Sequence, residues 1–335
     1  MAGWELSKGY IVRRDLSMDE MWSVMNAFFS GRFNFTTTYK FAFFKCILDN
    51  LFNIDDIKRL DFDFIFTRFT EIYWNLVVKN GLCQIQQNSQ FSHSAVEKII
   101  LATKEGLSID SSVPFESLKK DIQNQLIREV SRECKKYVIG AFYKDTDCVV
   151  YAFNKKDSKL LFNECFRDFF IKYKCVLEKS NYLEWIKFLE KVNPREKTFA
   201  LALKLDYATK RENLGLYRAH IQTTLGMENC FYCNQKLSDK IEVDHFIPWS
   251  FIKDDKIWNL VLSCRKCNNA KRDSLAHSAF LPIIVQRNQQ IIEDKKLGQF
   301  ESEFAGYTPQ KIESIYQSAV FNGLKTGWGS TLVNQ

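Results

Sequence analysis

A mainly α fold with one small α+β module is what this 335-residue chain predicts. Apolar residues recur at helical spacing through most of positions 1–194. One stretch, Ile241-Glu-Val-Asp-His-Phe-Ile247, alternates like a strand and lies between two Cys-x-x-Cys pairs. Past residue 276 helical spacing returns. The expected division is a helical domain over 1–194, the α+β module over 195–276 and a helical extension over 277–335.

The elements follow in chain order. Ser17-Met-Asp-Glu20 is a capping-box pattern that opens a helix carrying Met21, Trp22, Met25 and Phe28. Tyr39, Phe43, Ile47 and Leu51 recur every four residues, with Phe44 and Leu48 beside them, and predict an amphipathic helix. Phe62, Ile65, Phe69, Ile72, Tyr73 and Leu76 repeat the pattern, as Ala95, Val96, Ile99 and Ile100 do more briefly. Cys148-Val-Val-Tyr-Ala-Phe153 breaks it, and with Asn154-Lys-Lys-Asp-Ser and Leu160-Leu-Phe it reads as a hairpin. Helical spacing resumes from Phe169 to Cys175 and near Trp185 to Leu189. Asn193-Pro194 marks the domain boundary. Beyond it Leu214, Tyr217, Ile221 and Leu225 predict a helix that Gly226 ends. Pro309 marks a later helix start, with Ile312, Ile315 and Tyr316 inside, and Gly327-Trp-Gly-Ser330 reads as a loose tail.

Composition narrows the class. With 46% hydrophobic residues, five Pro and thirteen Gly, the chain folds rather than staying disordered, and 29 Phe supply a sizeable core. A net charge of +7 is compatible with a polyanionic partner without requiring one. Met1–Lys8 lacks the apolar segment of a secretory leader, and no apolar run approaches a membrane span. The expected compartment is the reducing cytoplasm, where Cys46, Cys83, Cys134, Cys148, Cys165 and Cys175 are scattered free thiols.

The remaining four cysteines carry the chemistry. Cys230/Cys233 and Cys264/Cys267 have the spacing of a closed four-thiolate zinc site. Such a zinc has no open position and is structural, holding together a module too polar to fold alone. Between and just beyond the pairs lie Asp244, His245, Asn259 and Asn268. Asp244 is a hard oxygen ligand suited to Mg²⁺ or another divalent ion, and the Asn268 amide oxygen can complete that shell. His245 is the natural general base near neutral pH. Arg265, Lys266, Lys271 and Arg272 stand at the start of a predicted helix, where cations suit phosphate contact.

Val243-Asp-His-Phe-Ile-Pro-Trp-Ser250, Trp258-Asn-Leu-Val-Leu262 and Cys264-Arg-Lys-Cys-Asn-Asn-Ala-Lys271 together resemble the signature of the HNH, or ββα-metal, endonuclease family. The likeness covers about residues 225–276 and extends to McrA-like restriction nucleases and the HNH domain of CRISPR type II effectors. It implies a zinc-stapled ββα-metal fold that cuts nucleic acid, most often double-stranded DNA. Asp244 and Asn268 would bind catalytic Mg²⁺ or Mn²⁺, His245 would activate water, and Asn259 would brace the loop carrying the histidine. The final motif position is often His in the family; Asn268 departs from it and leaves the preferred metal open. The resemblance implies bacterial restriction or anti-phage defence, with residues 1–194 serving recognition, regulation or assembly with a partner or a second copy. The competing readings are a non-cleaving zinc-ribbon binding module and a mobile-element nuclease.

Overall fold

Residues 3–33, 35–86, 92–209, 214–237 and 241–329 are described by the computed structural model. The chain forms two compact units, Met1–Lys210 and Arg211–Gln335.

In the first unit the helices are α1 (Met18–Phe29), α2 (Tyr39–Asp49), α3 (Phe62–Trp74), α4 (Ala95–Gly106), α5 (Lys120–Asp145), α6 (Glu164–Lys172), α7 (Lys174–Val192) and α8 (Leu201–Asp206). Two capping boxes start helices here. Ser17 Oγ accepts from Glu20 N at 3.3 Å while Glu20 Oε2 accepts from Ser17 N at 2.8 Å, and Ser94 and Glu97 repeat the exchange at the head of α4. The predicted hairpin forms from β3 (Tyr151–Asn154) and β4 (Lys159–Phe162), paired Phe153 to Leu160. Two strands too short to alternate, β1 (Lys8–Gly9) and β2 (Arg59–Asp61), extend it to an antiparallel sheet in the order β1-β3-β4-β2.

Helix α2 departs from the amphipathic expectation. From Phe41 to Asp49 every residue is buried, because α3, α5 and α7 pack around it. Its aromatic face joins a cluster in which Phe44 stacks on Phe142 at 5.7 Å and Phe28 meets Phe142 edge-on at 5.1 Å. Its polar face is buried as well. Lys45 pairs with Asp49 one turn on and, at 2.9 Å, with Glu178 of α7. The cluster brings charge into the core only because each charge has a partner.

The boundary between units falls at Lys210/Arg211, beyond Asn193–Pro194. Asn193 is tied into the first unit, its Oδ1 accepting from Cys83 N at 2.7 Å and its Nδ2 donating to Cys83 O at 2.9 Å. Leu201, Leu205 and Ala208 then add α8 to the same core.

The second unit contains α9 (Gly215–Thr223), β5 (Ile241–His245), α10 (Trp249–Ile252), β6 (Leu260–Cys264), α11 (Arg265–Lys271), α12 (Leu281–Glu293), α13 (Glu301–Phe304) and α14 (Pro309–Phe321). Gly226 adopts φ +63° just past α9, the left-handed turn that only glycine takes without strain. Thr308 caps α14 by accepting from Lys311 N at 3.1 Å, with Pro309 in the first turn. Strands β5 and β6 form an antiparallel ribbon with Asp244 opposite Val261 and His245 opposite Leu260. Helix α11 follows β6 without a loop and packs on both strands, completing a ββα unit.

Residues 277–329 belong to the same compact unit rather than forming an appendage. Arg287 of α12 is buried, and its guanidinium donates to the carbonyls of Leu260, of Ile257 at 3.1 Å and of Trp258 at 3.2 Å. Burial pulls its pKa down to about 10, which keeps the cation at neutral pH. The tail is not loose. Leu275 N donates to Lys325 O at 2.8 Å and His277 N to Trp328 O at 2.7 Å, while Ser330 lies outside the described residues. No described helix is long and apolar enough to cross a membrane.

The buried cluster on α2 yields a stability prediction. Asp49→Ala leaves Lys45 under-compensated in the core and is expected to cost about 3–5 kcal/mol. Lys187→Ala, which breaks the exposed Lys187–Glu184 pair, should cost under about 0.5 kcal/mol. Thermal denaturation of both variants checks the contrast; equal losses would contradict it.

Candidate functional site

The two cysteine pairs meet because the ribbon brings them together. Cys230 and Cys233 lie on a turn whose Phe231 N donates to Leu262 O of β6 at 2.9 Å. Cys264 ends β6, and Cys267 sits in the first turn of α11. All four sulfurs lie within 4.8 Å of one another. Zinc–sulfur bonds of about 2.3 Å in a tetrahedron place sulfurs about 3.8 Å apart, so the cluster closes on an ion with little movement. Burial and neighbouring sulfurs push the Cys267 thiol up, whereas burial at Cys264 is outweighed by the Cys267 amide, 3.5 Å from its sulfur, and the thiol is held low. The four cysteines are positioned to bind a metal ion, and an all-thiolate donor set of this spacing fits structural zinc.

Asp244 is buried on β5. Its Oδ2 accepts from the Tyr232 hydroxyl at 2.5 Å and lies 2.9 Å from Lys271 Nζ. Burial, then the adjacent Asp244 charge, raise the Tyr232 phenol well above its ordinary value, so it stays a donor. Glu242, two residues earlier and on the same face of the strand, accepts from the Asn268 side-chain amide of α11. Carboxylates of Asp244 and Glu242 and the amide of Asn268 therefore line the side of the ribbon that α11 covers. These are hard oxygen donors, and a cation, the Lys271 ammonium, already stands against Asp244. That donor set fits a divalent ion such as Mg²⁺.

His245 ends β5 and is 2% exposed on its side chain. Its Nε2 lies 2.5 Å from Asp255 Oδ1, and its Nδ1 is buried without a hydrogen-bond partner among the described residues. Asn259 is fully buried, and both ends of its amide close on one residue. Its Oδ1 accepts from Ile247 N and its Nδ2 donates to Ile247 O, both at 2.9 Å. It holds the turn after the histidine.

The basic residues separate. Arg265, Lys266 and Arg272 are exposed on and just after α11. Lys271, expected as a surface phosphate contact, is instead fully buried, because it donates to His245 O at 2.7 Å as well as pairing with Asp244. Asp255, Glu242 and Tyr232 carry no site role in the sequence pattern, although Glu242 lies in the strand it predicts. The acid pair Asp254-Asp255 between Lys253 and Lys256 reads as an ordinary polar turn, and only the alternation of Glu242 with Asp244 along β5 could have drawn attention to one of the three.

A short antiparallel ribbon, a following helix and a four-cysteine knuckle define a metal-stapled ββα module. Residues 230–277 match the family model described as HNH endonuclease, and with the cysteine cluster this segment is an HNH module of the zinc-site kind. The match supports nuclease activity and implies a nucleic-acid substrate. No curated protein and no solved structure matches the chain.

Metal analysis of the purified protein is expected to find one zinc per chain. Cys264→Ser should lose it and lower the melting temperature, since ligand binding in such modules is folding free energy. Zinc-free protein with an intact fold would contradict the expectation.

Proposed function

We propose that the chain is a metal-dependent endonuclease that hydrolyses DNA phosphodiester bonds, acting in bacterial restriction or anti-phage defence. The observation that carries this reading is the Asp244–His245 pair at the end of β5. Within a segment that matches the HNH model, it joins a cation-binding carboxylate to an imidazole whose Nδ1 has no hydrogen-bond partner among the described residues. In this reading His245 takes the proton of the attacking water. Asp244 and Asn268, with Glu242 beside them, hold a Mg²⁺ or Mn²⁺ ion, which when bound stabilises the charge on the phosphate and on the leaving 3′ oxygen. Asn259 acts through the turn it braces. Exposed Arg265, Lys266 and Arg272 contact the phosphate backbone, which positions the nuclease without reading sequence. Lys271 leaves that set and serves the site from within.

Target choice is proposed to rest with the N-terminal unit, directly or through a partner or a second copy. It has its own core, and the module's available cations are phosphate-type contacts. The full chain and residues 211–335 should therefore differ in which DNA they cut or how fast. Identical cleavage by a folded fragment would remove that role.

The central test is incubation of plasmid with the protein and Mg²⁺ or Mn²⁺. His245→Ala should lower the cleavage rate by on the order of a hundredfold or more while leaving zinc content and DNA affinity unchanged. Asp244→Ala and Asn268→Ala should raise the divalent-ion concentration needed for half-maximal rate. Wild-type cleavage by the His245 variant would sink the assignment.

A further inference from the structure

The His245–Asp255 contact does more than bury an acid. A carboxylate oxygen only accepts hydrogen bonds, so at 2.5 Å from Nε2 it favours the imidazole form that carries its proton there. The lone pair then lies on Nδ1, the nitrogen with no hydrogen-bond partner among the described residues. Buried polar atoms without a partner are uncommon, and they recur where a substrate or catalytic group completes the bond. The opposite tautomer would set two acceptors, Nε2 and Oδ1, against each other and leave a buried N–H unpaired, which costs about 1–3 kcal/mol.

We propose that Asp255 is the positioning residue of the nuclease reaction: it fixes the tautomer and plane of His245 so that Nδ1 is the proton acceptor. This rests on the hydrolytic reading above. In the step, the water oxygen forms a bond to phosphorus as its proton passes to Nδ1, and the bond from phosphorus to the 3′ oxygen breaks, that oxygen leaving with the bonding pair and taking a proton from solvent water. Nε2–H stays in place, and Asp255 stabilises the imidazolium that forms.

The loop carrying Asp255 is held from outside the motif on two sides. Tyr217 of α9 lies 2.8 Å from Asp255 O and 2.8 Å from Glu303 Oε1. Glu303 Oε2 accepts from Ile257 N at 2.6 Å. Burial raises the Glu303 carboxyl above its ordinary range, which suits a group shared between a phenol and an amide. Asp255 itself is nearly buried, with 9% of its side chain exposed, so the carboxylate is held in place before substrate arrives.

The test combines spectroscopy with kinetics on the full chain. The protein has four histidines, so ¹⁵N-histidine labelling and two-bond ¹H–¹⁵N correlation resolve the His245 ring, identified by its loss in His245→Gln. The wild type should show the Nε2–H form; an Nδ1–H form would overturn the proposal, whether or not the protein cuts DNA. Asp255→Ala should mix the tautomers and lower kcat by on the order of a hundredfold or more, with KM for DNA and the divalent-ion requirement within about twofold. The near-isosteric Asp255→Asn keeps the shape of the loop while permitting the wrong tautomer, and serves where the alanine variant unfolds. A folded, zinc-loaded Asp255→Asn protein that keeps both the Nε2–H form and wild-type kcat would overturn it equally.

Discussion

A two-stranded ribbon of five residues a side has too few hydrogen bonds to keep its own register in water. In β5–β6 the register decides everything, because shifting it by one residue moves every side chain to the other face. It is clamped at both ends. At one end Cys264, paired with Ile241, belongs to the sulfur cluster. At the other, Phe246 N donates to Asn259 O at 2.8 Å, and the Asn259 side chain closes on Ile247. Asp244 and His245 lie between these clamps.

Charge inside the module is balanced locally rather than by solvent. Lys271 neutralises Asp244 and caps the end of β5 through His245 O; Arg287 gathers carbonyls from the 257–260 turn. Both cations are buried, and each would be costly unless every donor found an acceptor. The site is thus set in a stiff polar frame, which suits a reaction that depends on placement.

Much of this was legible in the sequence. The alternation of Ile241–Ile247, the two cysteine pairs and the capping box at Ser17 are local signals, and each formed the element it implies. What stayed hidden depends on tertiary partners. Lys271 reads as a phosphate-contacting cation because charge ordinarily marks exposure, and its burial follows from the Asp244 carboxylate supplied by β5; the burial of Lys45 depends in the same way on Glu178 of α7. Asp255 has no motif around it; its contact arises where the loop after α10 folds back on His245, ten positions earlier. Strands β1 and β2 are too short to show a period. The boundary at Asn193-Pro194 was read from turn chemistry, which says nothing about the burial of Leu201 and Leu205 that carries the first unit onward.

The frame around the histidine also bears on what can be inherited or transplanted as one piece. The segment with a recognisable pattern runs from 230 to 277, yet Tyr217 precedes it and Arg287, Glu303 and Trp328 follow it. Trp328 packs edge-on against Tyr232 at 4.9 Å, one residue removed from Asp244 through the phenol. A graft of the motif alone would carry its metal staple but leave its walls behind. The unit that holds this geometry together is therefore wider than the segment a pattern recognises, and it draws on residues to either side of it.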